Sequence, residues 1–291
     1  MIYNYNYDVA GFISAVFLLI VYFMRRTYKT KSARLIVALL VVDALGCIFD
    51  IASCYSITLP GKYPMWYNNV TTLGYLFFYN TMGVLFFAYI DSKTKIQKMW
   101  VPAKAVIICS IAFLFLVTVT SPWTHLVAYF DPNMTYTHGP LMPVLYGMAA
   151  AFLLAAFILF AIKRKRFNRY QVYAVLSFIA AVFLGVYIQM VKPTLLVGQF
   201  GCTLVIYFLY TPSENPAYFT FRQTACYNRN AFLQTMKKKQ RSKEIVNIFA
   251  FAIKDYDNLR ETLSLKNCNR VSSRVAEYIS HYFHSNAYTI A

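Results

Sequence analysis

Seven long apolar stretches dominate the sequence and leave few folds open to it. Each approaches the roughly 20 apolar residues that an α-helix needs to cross a bilayer. The chain is 59% hydrophobic and 13% charged, whereas a soluble domain carries about 25% charged residues. We therefore predict an all-α membrane bundle of seven transmembrane helices. The predicted spans are 7–24, 35–58, 70–90, 103–120, 141–162, 170–190 and 194–210.

The basic residues alternate between the two sides of these predicted helices. Loops 25–34, 91–104 and 163–169 contain fourteen Lys and Arg, whereas the intervening segments contain two, Lys62 and Lys192. Loops that stay in the cytoplasm are enriched in Lys and Arg. The pattern predicts an outer N-terminus and a cytoplasmic C-terminus. It also accounts for about half of the basic residues behind the net charge of +17, so we do not predict nucleic-acid binding.

The second span contains two carboxylates, Asp43 and Asp50, within its apolar stretch. Their spacing places them on one helix face. A carboxylate in the bilayer is costly and usually faces the bundle interior or a wet cavity. We predict a ligand site, a proton-linked switch or a cation site here, with Asn80 as a partner; the alternative is a structural contact between helices. Further polar side chains are expected to form interhelical hydrogen bonds: Thr81, Gln189 and Gln199.

The longest outer segment, 121–140, carries three side chains that could bind an external ligand: His125, Asp131 and His138. Their spacing matches no strong metal-binding template. We favour a folded lid over the bundle, packed through its aromatic residues, and keep a metal site as the alternative.

The chain changes character after residue 211. A hinge rich in proline, 212–221, separates the membrane domain 1–211 from a cytoplasmic domain 222–291. Within that domain we predict a basic amphipathic helix near the membrane surface, then a buried strand over 245–253, then a helix over 258–284. This order predicts the beginning of a partial α/β domain.

The tail resembles the N-terminal half of a GGDEF domain, the diguanylate cyclase family. Four residues match the opening motif of that family: Thr224, Asn228, Arg229 and Phe232. The motif that ends the first strand of the family is similar to Asp255-Tyr-Asp257. The resemblance implies that Asp255 occupies the position of a magnesium ligand.

The tail also departs from this family at the positions that do the chemistry. Phe221 replaces the opening aspartate, Leu263 replaces the asparagine that contacts guanine, and the Gly-Gly-Asp-Glu-Phe signature is absent from the sequence. A single aspartate cannot hold the two metal ions of phosphoryl transfer. We therefore expect a degenerate, truncated and non-catalytic domain, with a vestigial magnesium site at Asp255 and no other cofactor.

The membrane domain is similar to the seven-helix sensor regions that precede bacterial histidine kinases and GGDEF domains. The similarity is carried by Ser121-Pro-Trp-Thr-His125 and Tyr136-Thr-His-Gly-Pro140 in the outer segment. It implies a multi-pass protein of the bacterial inner membrane that senses a small ligand. Together the two resemblances imply a sensor of the cyclic di-GMP signalling type.

The expected partners are the lipid bilayer, an unknown small ligand, and either a second copy or a cytoplasmic signalling protein at the tail. Two other interpretations stay open. The chain could be the N-terminal part of a longer diguanylate cyclase or phosphodiesterase. It could also be a transporter or channel in which the face formed by Asp43 and Asp50 lines the path.

Overall fold

The computed structural model describes residues 4–24, 31–59, 61–94, 101–131, 135–164, 194–213, 227–241 and 245–283, with scattered positions between 167 and 192. Five helices in this part of the chain are long and apolar enough to cross a membrane. They are α1 (Asn6–Met24), α2 (Lys31–Thr58), α3 (Met65–Thr94), α4 (Val101–Thr124) and α5 (Met142–Ile162). The predicted all-α membrane bundle is confirmed.

Another helix of the bundle, α6 (Gly198–Ser213), corresponds to the predicted span 194–210. The predicted span 170–190 lies mostly outside the described residues, and the positions that are described within it are helical. The chain divides into two compact units, Met1–Glu214 and Asn215–Ala291. The first unit holds α1 to α6 and is the membrane bundle.

Helices α1 and α2 run antiparallel. The hydroxyl of Tyr55, near the end of α2, donates a 2.7 Å hydrogen bond to that of Tyr5, just before α1. Further along α1, Gly11 faces Cys47, because a Cβ on Gly11 would lie 3.2 Å from the Cys47 sulfur. Small residues at helix interfaces in membranes allow this close backbone approach.

Helices α2, α3 and α5 form the centre of the bundle. Ser53 and Thr72 share a 2.9 Å hydrogen bond between hydroxyls, and the Phe49 and Phe78 rings lie 5.3 Å apart. Residue numbers rise on α3 as they fall on α2, so these two helices are antiparallel. On the other side, α3 packs against α5. The Phe86 ring contacts that of Phe157, and the Phe87 ring contacts that of Phe152. Gly83 faces Ala149. Contacts that advance together along both helices show that α3 and α5 are parallel.

Helices α1 and α6 are also parallel. The Asn4 N–H donates to the Thr194 carbonyl at 3.0 Å just before the two helices begin. The rings of Tyr22 and Tyr210, near their far ends, lie 6.4 Å apart. The two helices therefore start at the same end of the bundle and pack along their length.

The lipid-facing surface of α1 is apolar. The buried stripe of α1 contains Gly11, Ala15 and Leu18, whereas Phe17 and Phe23 are well exposed on the opposite side of the helix. In water this pattern would be unfavourable, but hydrocarbon chains solvate such side chains without penalty. The exposed rings therefore mark the surface that contacts lipid.

A small hairpin follows α4. Strands β1 (Ala128–Phe130) and β2 (Tyr136–His138) pair in antiparallel register, with Ala128 opposite His138. The buried Ser121 hydroxyl donates to the Ala128 carbonyl at 2.8 Å and accepts from the N–H groups of Val127 and Ala128, both at 3.1 Å. Val127 and Ala128 pack into an apolar cluster with α3 and α4. The predicted folded lid is thus present as a hairpin fixed to the end of α4.

The second unit contains α7 (Arg229–Arg241), α8 (Tyr256–Thr262) and α9 (Leu265–Tyr282). The predicted basic helix corresponds to α7, whose Ala231 N–H is capped by the Asn228 side chain at 3.1 Å. The predicted helix over 258–284 is present but is broken between α8 and α9, at Leu263 and Ser264.

The predicted buried strand over 245–253 is wrong. These residues adopt no regular secondary structure, and Ile245 is 96% exposed. A strand needs a neighbour to take up its backbone N–H and C=O groups, and the described part of this unit contains no second strand. Aromatic residues of α9 are likewise exposed, since Tyr278 is 72% and Tyr282 is 68% accessible.

Candidate functional site

The polar face of α2 lies inside the bundle. Asp43, Cys47, Asp50 and Cys54 follow one another at helical spacing and are all buried. The Cys54 thiol donates a long, 3.8 Å hydrogen bond to the Asp50 carboxylate one turn away. The structure thus places both predicted carboxylates on one buried face of α2.

A third carboxyl group comes from α1. Asp8 lies one turn inward from Tyr5 and is completely buried, although sequence reasoning did not single it out. Asp8 lies between Tyr5, which is bonded to Tyr55 of α2, and Gly11, which faces Cys47, so it lies at the level of Asp50 along α2. The signal that could have identified Asp8 was the presence of an acidic residue within the first predicted span.

Helix α6 completes the site. The Thr203 hydroxyl donates a 2.5 Å hydrogen bond to Oδ2 of Asp43. One turn earlier, the Gln199 side chain lies against Gly46 of α2, where a Cβ would come within 2.5 Å of the Gln199 Nε2 atom. Glycine at position 46 therefore leaves the space that the glutamine amide occupies. Gln199 was predicted to bond across helices, and Thr203 was not identified from sequence.

We call Asp8, Asp43 and Asp50 the carboxyl cluster. No group in the described part of the chain donates an N–H or O–H hydrogen bond to either oxygen of Asp8 or to Oδ1 of Asp43. The sequences of α1, α5 and α6 contain no Lys, Arg or His. An isolated charge buried in a low-dielectric interior is very costly. The carboxyl cluster must therefore be neutralised by protons or by a cation.

Tyrosines of α3 and α5 add hydroxyl groups to the bundle. The rings of Tyr75 and Tyr79 on α3 lie 5.7 Å apart, and Tyr146 on α5 is 43% exposed.

The predicted partner Asn80 makes its hydrogen bond within its own helix instead. Its amide N–H donates to the Leu76 carbonyl at 2.7 Å, and its side-chain oxygen has no hydrogen-bond donor among the described residues. Thr81 likewise donates to the Phe77 carbonyl at 2.7 Å. The structure therefore shows no hydrogen bond from either residue to Asp43 or Asp50. Gln189, another predicted partner, lies outside the described residues.

The polar side chains of the outer segment are dispersed around the hairpin. The His125 ring packs on Tyr129 with centroids 4.4 Å apart, and the His138 ring meets the edge of Tyr136 at 4.9 Å. Asp131 is exposed at the end of β1. Throughout the described residues, no three His, Cys, Asp or Glu side chains are arranged to hold a metal ion.

Asp255, the residue at the position of a magnesium ligand, immediately precedes α8. Its backbone is left-handed, with φ of 53°, and its side chain does not cap the helix. Among the residues that the structure describes, Asp255 belongs to no group of three His, Cys, Asp or Glu side chains that could hold a metal ion.

Comparison with known protein families gives a match over most of the chain. The model of the N-terminal 7TM region of histidine kinase matches residues 9–211, which include Asp43 and Asp50 and begin directly after Asp8. No curated protein and no solved structure matches the chain.

Proposed function

The chain belongs to the family of N-terminal 7TM regions of histidine kinases, and from this premise we propose that the carboxyl cluster receives the signal of a membrane sensor. The signal is passed through α6 to the second unit. Membrane signal sensing is the general role of such a region, and the site and route are the specific parts of the proposal.

One observation carries the proposal. The hydrogen bond from Thr203 to Asp43 joins the carboxyl cluster to α6, the last described helix before the second unit. A ligand that changes the position or charge of Asp43 would alter this bond. Because α6 also packs along α1, a displacement of α6 would also change the position of α1. The bond is thus the element through which binding would be coupled to the output.

The helix directions support seven spans. Antiparallel contacts from α1 to α2 and from α2 to α3 make α1 and α3 parallel, and α5 runs with α3. Since α6 runs with α1, α5 and α6 point the same way. We propose that the chain returns across the bundle between them through the apolar stretch 170–190. Together with the charge asymmetry, these helix directions favour a protein of the inner membrane whose N-terminus is outside and whose second unit is cytoplasmic.

The output we propose is a protein contact made by the second unit. The capped helix α7 supports the resemblance to the start of a GGDEF domain, whereas the unformed strand over 245–253 counts against a complete one. The exposed apolar residues of 245–253 and α9 offer surface to a second copy or to a cytoplasmic signalling protein. If the chain is the front of a longer diguanylate cyclase or phosphodiesterase, the same surface would contact the domain that follows.

The test compares amide hydrogen exchange in the second unit of the full chain in lipid nanodiscs. Thr203→Val removes the hydroxyl that donates to Asp43, and Asp43→Asn replaces the carboxylate that accepts this bond with an amide. We expect both variants to change exchange in α7 to α9. Thr211→Val is the matched control, because Thr211 is an exposed residue of the same helix whose hydroxyl donates to the Tyr207 carbonyl within α6. Exchange in the second unit that is identical in the wild type and all three variants would refute the coupling.

A further inference from the structure

Exposed aromatic rings form a continuous surface in the second unit. The Phe283 ring directly follows α9, and its centroid lies 5.3 Å from that of Phe249 and 5.7 Å from that of Phe251. On α9 itself, the Tyr282 ring lies 5.1 Å from that of Phe283 and 6.4 Å from that of Tyr278. All five side chains are between 40% and 72% exposed. We call these five residues the aromatic face, and a connected exposed surface of this kind marks an interaction site.

The exposed apolar surface extends along the segment that contributes two of these rings. Ile245 and Ile248 precede Phe249 and are exposed as well. The segment 245–253 has no regular secondary structure. Its apolar side chains would therefore be stabilised by a partner that removes them from water.

Basic side chains adjoin the aromatic face. Arg270, Arg274, Tyr278 and Tyr282 follow one another at intervals of four residues along α9 and are all exposed. One side of the helix thus carries two arginines and then two tyrosines. Lys254, directly after the segment 245–253, is also exposed. Basic residues beside exposed aromatic rings are typical of a segment that lies in the interface of a bilayer.

The charge of the second unit favours an anionic occupant. Residues 215–291 contain twelve Lys and Arg and five Asp and Glu, a net charge of +7. A second copy carries the same charge, so repulsion would oppose the approach of two aromatic faces. Anionic lipid headgroups attract such a unit, and each Lys or Arg near the membrane surface strengthens the attraction roughly fivefold. The second unit also follows the bundle directly in the chain, which tethers it to the membrane and raises its effective concentration there.

We infer that the aromatic face docks on the anionic surface of the bilayer. The rings enter the headgroup region, where aromatic side chains are favoured, and Arg270, Arg274 and Lys254 contact lipid phosphates. A docked face is not available to a protein, so docking competes with the proposed output contact. Only this last consequence rests on the proposed function.

The experiment measures amide hydrogen exchange of the full chain in nanodiscs that hold one copy each. Discs of phosphatidylcholine alone are compared with discs that contain about 30% phosphatidylglycerol, an anionic lipid. We expect exchange over 245–253 and α9 to be at least about threefold slower in the anionic discs. The difference should disappear in about 0.5 M sodium chloride, because salt screens the attraction between exposed charges.

Variants test the two kinds of side chain separately. One double variant, Tyr278→Ser with Tyr282→Ser, removes two exposed rings, and another, Arg270→Gln with Arg274→Gln, removes two positive charges. Each should lose most of the slowing in anionic discs. Because these side chains are exposed, both variants should exchange as the wild type does in phosphatidylcholine discs. Should one of them exchange faster there, the other double variant decides the result.

Conservative replacements at the same positions are the matched controls. Tyr278→Trp with Tyr282→Trp keeps aromatic rings, and Arg270→Lys with Arg274→Lys keeps the charge. Both should keep the slowing in anionic discs.

Equal exchange of the wild type in the two kinds of disc would overturn the inference, as would slowing that survives both the serine and the glutamine variants. Slowing that needs two copies in a disc but no phosphatidylglycerol would also overturn it, since a second copy would then cover the face. The proposed route fails separately, when Thr203→Val leaves exchange in the second unit unchanged although phosphatidylglycerol slows it. If Thr203→Val changes exchange and phosphatidylglycerol does not, the route stands and the docking is wrong.

Discussion

The hydroxyl of Thr203 lies 2.5 Å from Oδ2 of Asp43, a residue 160 positions earlier in the chain. Both side chains are buried, and Thr203 is 1% exposed. In hydrocarbon, polar groups satisfy one another because water is not available. This contact therefore fixes the register of α6 against α2 at the same place where the carboxyl cluster is held.

Removing that hydroxyl should destabilise the bundle. Thr203→Val leaves Asp43 without a hydrogen-bond donor among the described residues, and a hydrogen bond to a charged group is worth about 1.5–3 kcal/mol. We expect the free energy of unfolding in mixed detergent micelles to fall by roughly this amount. Thr211→Val, which loses a bond within its own exposed turn, should change it by less than about 0.5 kcal/mol. Equal effects of the two substitutions would contradict a specific role for Thr203.

Neutralising Asp8 should have the opposite effect on stability. Neither oxygen of this buried carboxyl group receives an N–H or O–H donor in the described part of the chain. An asparagine amide carries no charge, so it is less costly to bury than a carboxylate. We expect Asp8→Asn to raise the free energy of unfolding by about 1–3 kcal/mol in the absence of ligand. A double-mutant cycle with Asp50→Asn measures the coupling of the two residues, and additive effects would show that they do not interact.

The close contact between α2 and α3 predicts a large effect at a single glycine. A Cβ on Gly74 would overlap the ring of Phe49, which is rigid and cannot move away cheaply. Gly74→Ala should therefore lower the free energy of unfolding by about 1–3 kcal/mol. Gly147 of α5 has open space around its Cβ position, so Gly147→Ala should be neutral or stabilise by up to about 1 kcal/mol through helix propensity. A stable Gly74→Ala protein would show that α2 and α3 can separate without loss.

The outer hairpin depends on Ser121. Its hydroxyl makes hydrogen bonds to Val127 and Ala128 that hold the start of β1. In Ser121→Ala these buried backbone groups lose their partner, which is expected to cost about 2–3 kcal/mol. Amide exchange should rise sharply over residues 126–130 and much less in α2. The opposite distribution of exchange would indicate that the hairpin is held by other contacts.

The second unit should not synthesise cyclic di-GMP. Leu263 replaces the asparagine that contacts guanine in the family that the tail resembles, and the sequence lacks the Gly-Gly-Asp-Glu-Phe signature, whereas phosphoryl transfer of this kind needs two metal ions. Incubation of the full chain with GTP and magnesium should give no product, and Asp255→Ala should behave as the wild type does. Detection of product that Asp255→Ala abolishes would overturn the proposal of a non-catalytic output.

Apolar length sufficed to predict the bundle helices that the structure describes, because helix formation across a bilayer depends on local sequence. The orientation inferred from charge asymmetry stays a prediction. The seven-residue spacing of Asp43 and Asp50 also predicted their common buried face, since that follows from helix geometry alone. The strand over 245–253 could not be predicted in this way. Its apolar residues match a strand pattern, but a strand forms only when another part of the chain pairs with it.

The composition of the candidate site was decided by tertiary packing. Asp8 and Thr203 are distant in sequence from the α2 carboxylates, and they join the site because α1 and α6, which are parallel to each other, both pack against α2. Asn80 was a reasonable partner by sequence, yet it satisfies its own helix. Periodicity indicates which face of a helix is buried, but not which residue on a neighbouring helix that face meets. That depends on the register between helices, and here register depends on close approach at Gly11 and Gly46.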